Sequence, residues 1–310
     1  MASVFYPVQR GFDNVIANWP LLLIRVAETV LVLIVTVAGV FLTLILTGLM
    51  AAISAVGESF DNPERVAEWI VENPHLLAVM FGLALVVGLI GIVIHSFVIG
   101  GVIGCLVDAE KMAPQDGPRS SMKAFSPERW LAWCRQTWWP VFLIYNVTWG
   151  VYGLVLLVPC IFLLALMFAV DGAGATIVAG CIGLAIIVVI ALIGGIIVMA
   201  WSRAALAISI EGDRDVMGPV RDGFRVCLDR FGEVAVLYVV MTGIAFGVGG
   251  AVVSFNFGME LVSPRGSMVP IALVVQIVLS LIQSAVSVVT STWTVASTVS
   301  IVHRWAGRDV

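Results

Sequence analysis

The sequence predicts an all-α membrane protein, with six transmembrane helices arranged as three repeated hairpin units, each preceded by a cytoplasmic interfacial amphipathic helix. Two observations predict the membrane class. Of the 310 residues, 61% are hydrophobic and only 12% are charged, against about 45–50% and about 25% in soluble domains. The mean hydropathy is +1.09. These values exclude a soluble enzyme and a disordered chain, and the net charge of −4 excludes the basic footprint of a nucleic-acid-binding domain.

Six charge-free apolar runs predict the spans, because about 20 apolar residues cross the hydrocarbon core of a bilayer. The runs lie within Thr29–Gly57, Leu76–Val107, Val141–Val170, Thr176–Ser202, Val234–Met259 and Val269–Val302. Several are longer than one crossing needs, so these helices should tilt or continue beyond the membrane. The first run also exceeds the apolar core of a signal peptide, and we expect it to remain as an anchor.

The distribution of basic residues predicts the orientation. Fourteen Lys and Arg residues fall on one side of the predicted membrane, and only Arg65 and Arg265 fall on the other. Basic residues accumulate in cytoplasmic connections. We therefore expect both termini to be cytoplasmic, in a multi-pass protein of the inner (plasma) membrane.

Segments between the spans indicate a repeat. Residues 127–138 and 219–231 each begin at a proline and continue with apolar residues at helical spacing, and a weaker version precedes the first span. Such segments are typical of amphipathic helices in the membrane interface. Trp19-Pro20, Trp139-Pro140 and Phe231-Gly232 stand at matching places before the odd-numbered spans. We interpret the chain as one membrane domain, 1–310, with units 1–110, 111–215 and 216–310; the alternative is convergent design next to the membrane.

The tryptophan-bearing segments Trp130–Trp139 and Gly218–Phe231 are each followed by a span and then by a long helix that returns to a basic end. The returning helices carry Trp201-Ser202-Arg203 and His303-Arg304-Trp305. This layout resembles uncharacterised bacterial six-span proteins related to the membrane domain of glycerophosphodiester phosphodiesterases, over most of the chain. In that family the phosphodiesterase chemistry belongs to a soluble barrel domain, which has no counterpart here. The resemblance therefore implies a membrane fold and neither an activity nor site residues.

Three ionisable residues lie in or near the predicted spans, where such groups suggest function. His95 lies inside the second span, and we interpret it as a neutral histidine bonded to a neighbouring helix, with a proton relay as the alternative. Arg25 and Glu28 are three residues apart on one predicted helix face, where they can pair. The alternative for this pair is a contact with a lipid phosphate or a protein partner.

A polar seam runs along the sixth span at alternating spacings of four and three residues. Its members are Gln276, Ser280, Gln283, Ser287, Thr290, Thr294 and Ser297, and Ser284, Ser291 and Thr298 widen it. Because lipid cannot satisfy polar groups, we expect the seam to face other spans or a partner subunit. A polar transport path is the alternative.

No pattern predicts a metal, a cofactor or a catalytic centre. The five cysteines are odd in number and form no C-x-x-C pair, so neither a disulfide framework nor a zinc site is expected. Motifs of zinc proteases, serine hydrolases and phosphate-binding loops are missing from the sequence. We expect no enzyme activity and no cofactor, and the bilayer with a membrane protein or a second copy as partners.

Three functions remain open at this point. The first is a non-catalytic accessory or scaffold subunit of a membrane complex, or a lipid-interacting module. The second is a transporter or permease-like component that uses the polar seam, which a water-filled cavity reaching the seam would favour. The third is an intramembrane enzyme built around His95, which requires a nucleophile or metal ligand within hydrogen-bond distance of the ring.

Overall fold

The computed structural model describes residues 4–46, 48, 74–113, 119–169, 173–212, 216–262 and 269–307. The secondary structure of these residues is helical, with one short 3₁₀ turn at Arg119–Met122. The helices are α1 (Tyr6–Ala17), α2 (Pro20–Leu46), α3 (Pro74–Met112), α4 (Pro127–Ala169), α5 (Ala173–Glu211), α6 (Met217–Asp229), α7 (Phe231–Val262) and α8 (Val269–Ala306).

The predicted fold class is confirmed. Among the described residues, six helices are long and apolar enough to cross a membrane, namely α2, α3, α4, α5, α7 and α8. Most are longer than the predicted apolar runs, and α4 reaches 43 residues. The excess lies at the end of the bundle that holds α1, α6 and the last turns of α8, which we call the basic end.

The break between interfacial helix and span is the same in two of the three units. Asn18 ends α1 with φ −113° and ψ 37°, and Arg230 ends α6 with φ −115° and ψ 30°. In the middle unit the corresponding residue is Trp138, and the helix continues through it. Residues 127–138 therefore form the first turns of α4 instead of a separate helix.

The three units close into a ring. Each interfacial segment packs on the returning helix of the preceding unit: the start of α4 on α3, and α6 on α5. The first segment, α1, packs on α8, which is the last of the described helices. The units that the sequence defines are therefore interlocked at the basic end.

The same hydrogen bond recurs at two of these contacts. The indole N–H of Trp293 in α8 donates to the carbonyl of Val8 in α1 at 2.7 Å. The indole N–H of Trp201 in α5 donates to the carbonyl of Val220 in α6 at 2.6 Å. Each valine directly follows a proline. The indole rings of Trp293 and Trp201 also contact Phe12 and Phe224, which stand four positions after the two valines. The repeat thus extends to individual contacts.

Glycine permits the close approach of helices at these two contacts. A Cβ atom on Gly223 would lie 2.6 Å from the backbone nitrogen of Ala205. A Cβ atom on Gly11 would lie 2.7 Å from the Cα of Ser297. Neither backbone could move away without separating the helices, so only glycine fits at both positions.

The middle unit reverses this arrangement. Here the glycines are on the returning helix, and large side chains of α4 fill the space beside them. A Cβ atom on Gly101 would meet the indole nitrogen of Trp130 at 2.6 Å, and one on Gly104 would meet the Cβ of Trp133 at 2.7 Å. The glycines therefore lie on the returning helix in the unit whose interfacial segment is continuous with its span.

The core lies mostly at the basic end. Its fully buried members include Ile99, Ile103, Leu206, Val299 and Ile301, from the last turns of the returning helices. In the other half of the bundle, large apolar side chains are exposed, such as Phe41, Phe81 and Phe162. Apolar side chains on the outside of spanning helices contact the lipid bilayer.

Buried polar bonds tie α1 to α3 and to the connection before α4 at the basic end. Arg10 of α1 pairs with Glu110 of α3 at 3.2 Å, and both side chains are less than 10% exposed. The Asn18 amide donates to the Met122 carbonyl and accepts from the backbone N–H groups of Ala124 and Phe125. These bonds fix the connection between α3 and α4 against α1.

Candidate functional site

A polar cluster lies inside the bundle, one to two turns from the start of α2. Arg25 and Glu28 lie on one face of α2 and form an ion pair. Their side chains are 11% and 5% exposed. The charges are therefore removed from water and depend on each other, because an unpaired buried charge is strongly destabilising.

His95 of α3 joins this pair and bonds to two neighbouring helices. Its Nδ1 lies 2.6 Å from a carboxylate oxygen of Glu28, and its Nε2 lies 3.2 Å from the hydroxyl of Tyr145 in α4. A carboxylate accepts and does not donate, so Nδ1 carries a proton and donates to Glu28. In the neutral ring, Nε2 then accepts from the Tyr145 hydroxyl.

Ser291 completes the cluster from α8. The Arg25 guanidinium donates to its hydroxyl at 3.5 Å. The cluster thus joins α2, α3, α4 and α8 around one buried carboxylate. It brings together the three ionisable residues that the sequence singles out.

A cavity of about 1130 Å³ opens beside the cluster, between α2, α3, α4 and α5. At the end away from the cluster its wall is apolar, with Val40 and Leu44 of α2 and Met80 and Ala84 of α3. Four glycines also line it, namely Gly39, Gly88, Gly91 and Gly150. A Cβ atom on Gly88 or Gly150 would meet nothing within 4 Å, so the helix surface there faces open space.

Polar groups line the other end of this cavity, toward the basic end. They are His95, Tyr145, Asn146, Ser202 and Arg203. Several already use their donors: the Asn146 amide donates to the Phe142 carbonyl and the Ser202 hydroxyl to the Met199 carbonyl. The cavity therefore has an amphiphilic form, with a long apolar part and a polar end.

Arg203 is the cation of that end. Within the described part of the chain it forms no ion pair and one hydrogen bond, to the Tyr238 hydroxyl at 3.5 Å. Its guanidinium carbon also lies 5.9 Å from the centre of the Tyr238 ring. A guanidinium has five N–H donors, so most of the Arg203 donors have no partner among the described residues, and the residue lines the cavity.

The polar seam of α8 divides into two parts. Thr294 and Ser297 are buried near the basic end, and Thr290 is half-buried. The remaining members are exposed on the single chain: Gln276, Ser280, Gln283 and Ser287. The seam residues do not line the cavity between α2 and α5.

The seam threonines bond to their own helix. The hydroxyls of Thr290 and Thr294 donate to the carbonyls of Val286 and Thr290, at 2.8 and 2.6 Å. Such back-bonding satisfies a hydroxyl without a second helix. The exposed amides of Gln276 and Gln283 have no such bond among the described residues, and the buried hydroxyl of Ser297 also lacks a partner there.

Sequence reasoning missed two residues of the site, Tyr145 and Arg203. Tyr145 stands five positions after Pro140, as Arg25 does after Pro20, so the repeat could have indicated it. The predicted run Thr176–Ser202 ends one residue before Arg203, so the sequence analysis places Arg203 in the connection to the next span. However, the apolar run continues to Ile210, and α5 ends at Glu211, which places Arg203 inside the helix.

Within the described residues, no group of three His, Cys, Asp or Glu side chains is close enough to hold a metal ion. On α6, burial raises the pKa of the Cys227 thiol to about 11. This thiol is therefore protonated at neutral pH and is a poor ligand and nucleophile.

Comparison of the chain with protein-family models, with curated proteins and with solved structures found no match.

Proposed function

We propose that this chain is a non-catalytic, lipid-interacting membrane protein that holds a membrane lipid in the cavity between α2, α3, α4 and α5. One observation supports the proposal above all. A cavity of about 1130 Å³ combines an apolar wall with a polar, cationic end. This volume lies just above the range of about 300–1,000 Å³ for small-molecule pockets, which favours a larger, amphiphilic ligand.

The length of the cavity also suits a lipid chain. Its lining on α3 extends from Met80 to His95, which corresponds to about 22 Å at 1.5 Å per residue. The hydrocarbon core of a bilayer is about 30 Å thick. The cavity is therefore long enough for an acyl chain that runs along the helices from the polar end.

The proposal includes the orientation and the location. We place the basic end and both termini in the cytoplasm and the protein in the inner (plasma) membrane, because the sequence predicts fourteen basic residues on that side. The bound lipid would then belong to the cytoplasmic leaflet. We keep the resemblance to membrane domains of glycerophosphodiester phosphodiesterases as a proposal about fold.

A second candidate role is that of an accessory or scaffold subunit. The observation that favours it is the exposure of Gln276 and Gln283 on the single chain. Lipid satisfies amide groups poorly, so hydrogen bonds to a partner helix or to a second copy would lower the free-energy cost of these two amides in the membrane. The transporter alternative rests on the same seam and has less support, because the cavity is lined by other helices.

The cavity can be tested by filling it. We expect Gly150→Phe to lower the amount of lipid that remains bound after purification in mild detergent, because the ring would occupy the cavity. Gly153→Phe is the matched control, since Gly153 lies on the same helix, faces open space and does not line the cavity. Native mass spectrometry would count the retained lipids, and thermal unfolding would verify that both variants fold.

Equal lipid retention by the two folded variants would contradict the proposal. A reduction by Gly150→Phe alone would support it. Gly88→Phe, with Gly82→Phe as its control, repeats the experiment on α3.

A further inference from the structure

We infer that the lipid in the cavity presents an oxyanion, a phosphate or a carboxylate, to Arg203, which makes this side chain the headgroup receptor of the site. The inference rests on the proposed lipid-binding function and names the class of ligand. It begins from an energetic point. Acyl chains gain little by leaving one apolar medium for another, so a polar contact has to distinguish the bound lipid from the surrounding bilayer.

The charges around the cavity favour an anion. At the polar end, Arg25 and Glu28 neutralise each other, and the His95 ring is bonded to the same carboxylate. Among the described residues, Arg203 therefore contributes a positive charge that no carboxylate compensates. An ionisable side chain that lies in a spanning helix and lines a cavity suggests a functional site.

Other arginines at the basic end lack this property, because carboxylates face them. Arg10 pairs with Glu110, and Arg230 and Arg304 both pair with Glu233. Arg203 instead faces the Tyr238 ring and hydroxyl on one side and the cavity on the other. An external oxyanion would supply the missing acceptor, and guanidinium groups bind phosphate and carboxylate in bidentate geometry.

The depth of Arg203 suits a headgroup. It lies two residues before Ala205, where α6 crosses α5, and this offset is about 3 Å along the helix axis. Interfacial amphipathic helices lie at the boundary between headgroups and acyl chains. The guanidinium is therefore at the level where a lipid of the same leaflet carries its phosphate, and the apolar part of the cavity continues in the direction of its chains.

Tyr145 provides a second donor beside Arg203. Its hydroxyl is 3.2 Å from His95 Nε2, and both residues line the cavity. When an oxyanion is bound, this hydroxyl can donate to it instead of to the histidine. We assign it a positioning role, secondary to Arg203.

The experiment compares lipids that differ in the headgroup alone. Detergent-solubilised protein is titrated with phosphatidylglycerol and with a diacylglycerol of the same chains, which lacks the phosphate. We expect the protein to prefer phosphatidylglycerol and Arg203→Gln to reduce this preference about tenfold or more, the scale of a charged hydrogen bond. Arg203→Lys keeps the charge and should retain part of the preference. Arg225→Gln is the control, because Arg225 is an exposed residue of α6.

Two further ligands distinguish the sources of the oxyanion. A fatty acid tests a carboxylate on a single chain, and competition by either lipid class supports the inference. Inorganic phosphate tests a soluble anion. If millimolar inorganic phosphate displaces phosphatidylglycerol, the site binds a free anion and the inference is overturned.

The outcomes also separate this inference from the proposed function. If Gly150→Phe lowers lipid retention while folded Arg203→Gln keeps the full preference for phosphatidylglycerol, the cavity binds lipid and Arg203 is not the receptor. If neither variant changes lipid binding, the proposed function itself fails. Equal binding of phosphatidylglycerol and diacylglycerol by the native protein overturns the inference as well.

Discussion

At the residue scale, Glu28 is the centre of the polar cluster. Its carboxylate receives the Arg25 guanidinium and the His95 ring, and it is 5% exposed. The carboxylate therefore compensates a buried cation and fixes the histidine tautomer at once. No other group in the cluster can take its place, since Tyr145 and Ser291 are neutral.

We predict that Glu28→Gln destabilises the protein strongly. The change leaves Arg25 without a counter-charge in a buried setting, and breaking one side of such a pair costs about 3–5 kcal/mol. Thermal unfolding in detergent would measure the loss. The control is Asp222→Asn, which breaks an exposed pair with Arg225 and should cost no more than about 1 kcal/mol.

The double variant Arg25→Met with Glu28→Met tests whether the unpaired charge of Arg25 causes this loss of stability. Replacing a whole buried pair by apolar side chains is often neutral, so this variant should be more stable than Glu28→Gln. A double variant as unstable as Glu28→Gln would show that the loss has another cause.

Part of the cluster could be predicted from the sequence, and the reason is local. The spacing of Arg25 and Glu28 places them on one helix face whatever the rest of the protein does. The partners of His95 were not predictable in this way, because Glu28 and Tyr145 are 67 and 50 residues away. Contacts between helices depend on how the helices pack, and one sequence gives only the face of each.

At the element scale, the interfacial helices show which features of a helix the hydrophobic pattern of the sequence predicts and which it does not. The proline at the start and the apolar stripe predicted residues 219–231 well, and α6 begins at Met217 and ends at Asp229. The same signs failed to predict that residues 127–138 continue into α4. A Trp-Pro pair stands both at the break between α1 and α2 and within the continuous helix α4. The residue before the pair differs in the two places. Asn18 has polar partners in the connection to α4, whereas Trp138 has an indole side chain.

We predict that Gly223→Ala loosens α6 from α5. The added methyl would lie 2.6 Å from the Ala205 nitrogen, and such overpacking typically costs 1–3 kcal/mol. Amide exchange of α6 and thermal unfolding would both report the change. The matched control is Gly232→Ala, because Gly232 is also helical and its Cβ would meet nothing within 4 Å.

The control has an expected sign of its own. Alanine is favoured over glycine in an open helix position by about 0.5–1 kcal/mol, so Gly232→Ala should be neutral or stabilising. Gly11→Ala should repeat the loss at the equivalent contact of α1 with α8. If Gly223→Ala and Gly232→Ala behaved alike, the close approach of α6 and α5 would not contribute to stability.

At the scale of the whole molecule, packing is unequal along the membrane normal. The returning helices are buried against each other near the basic end, and their other halves expose apolar side chains. The cavity lies where α2 and α3 separate from α4 and α5. The periodicity of the sequence could not predict this, because it indicates which face of a helix packs and not where along their length two helices separate.

The topology is predicted to follow the basic residues, with the basic end inside the cell. In a variant without native cysteines, Ser120→Cys should react with a membrane-impermeant maleimide only after the cells are opened. Phe60→Cys, in a stretch outside the described residues, should react in intact cells. Reaction of Ser120→Cys from outside intact cells would reverse the orientation and would move the polar end of the cavity to the other leaflet.

The contact between α1 and α8 has a consequence for synthesis. Val8 and Trp293 are 285 residues apart, so a ribosome that adds about 5–20 residues per second completes the docking site roughly 15–60 s after it has made α1. During that interval α8 has not been made, so the apolar stripe of α1 can be buried against the membrane surface but not against α8. The amphipathic character of α1 therefore stabilises the helix during synthesis as well as in the folded protein. We expect α1 to reach its final position only after α8 has been translated.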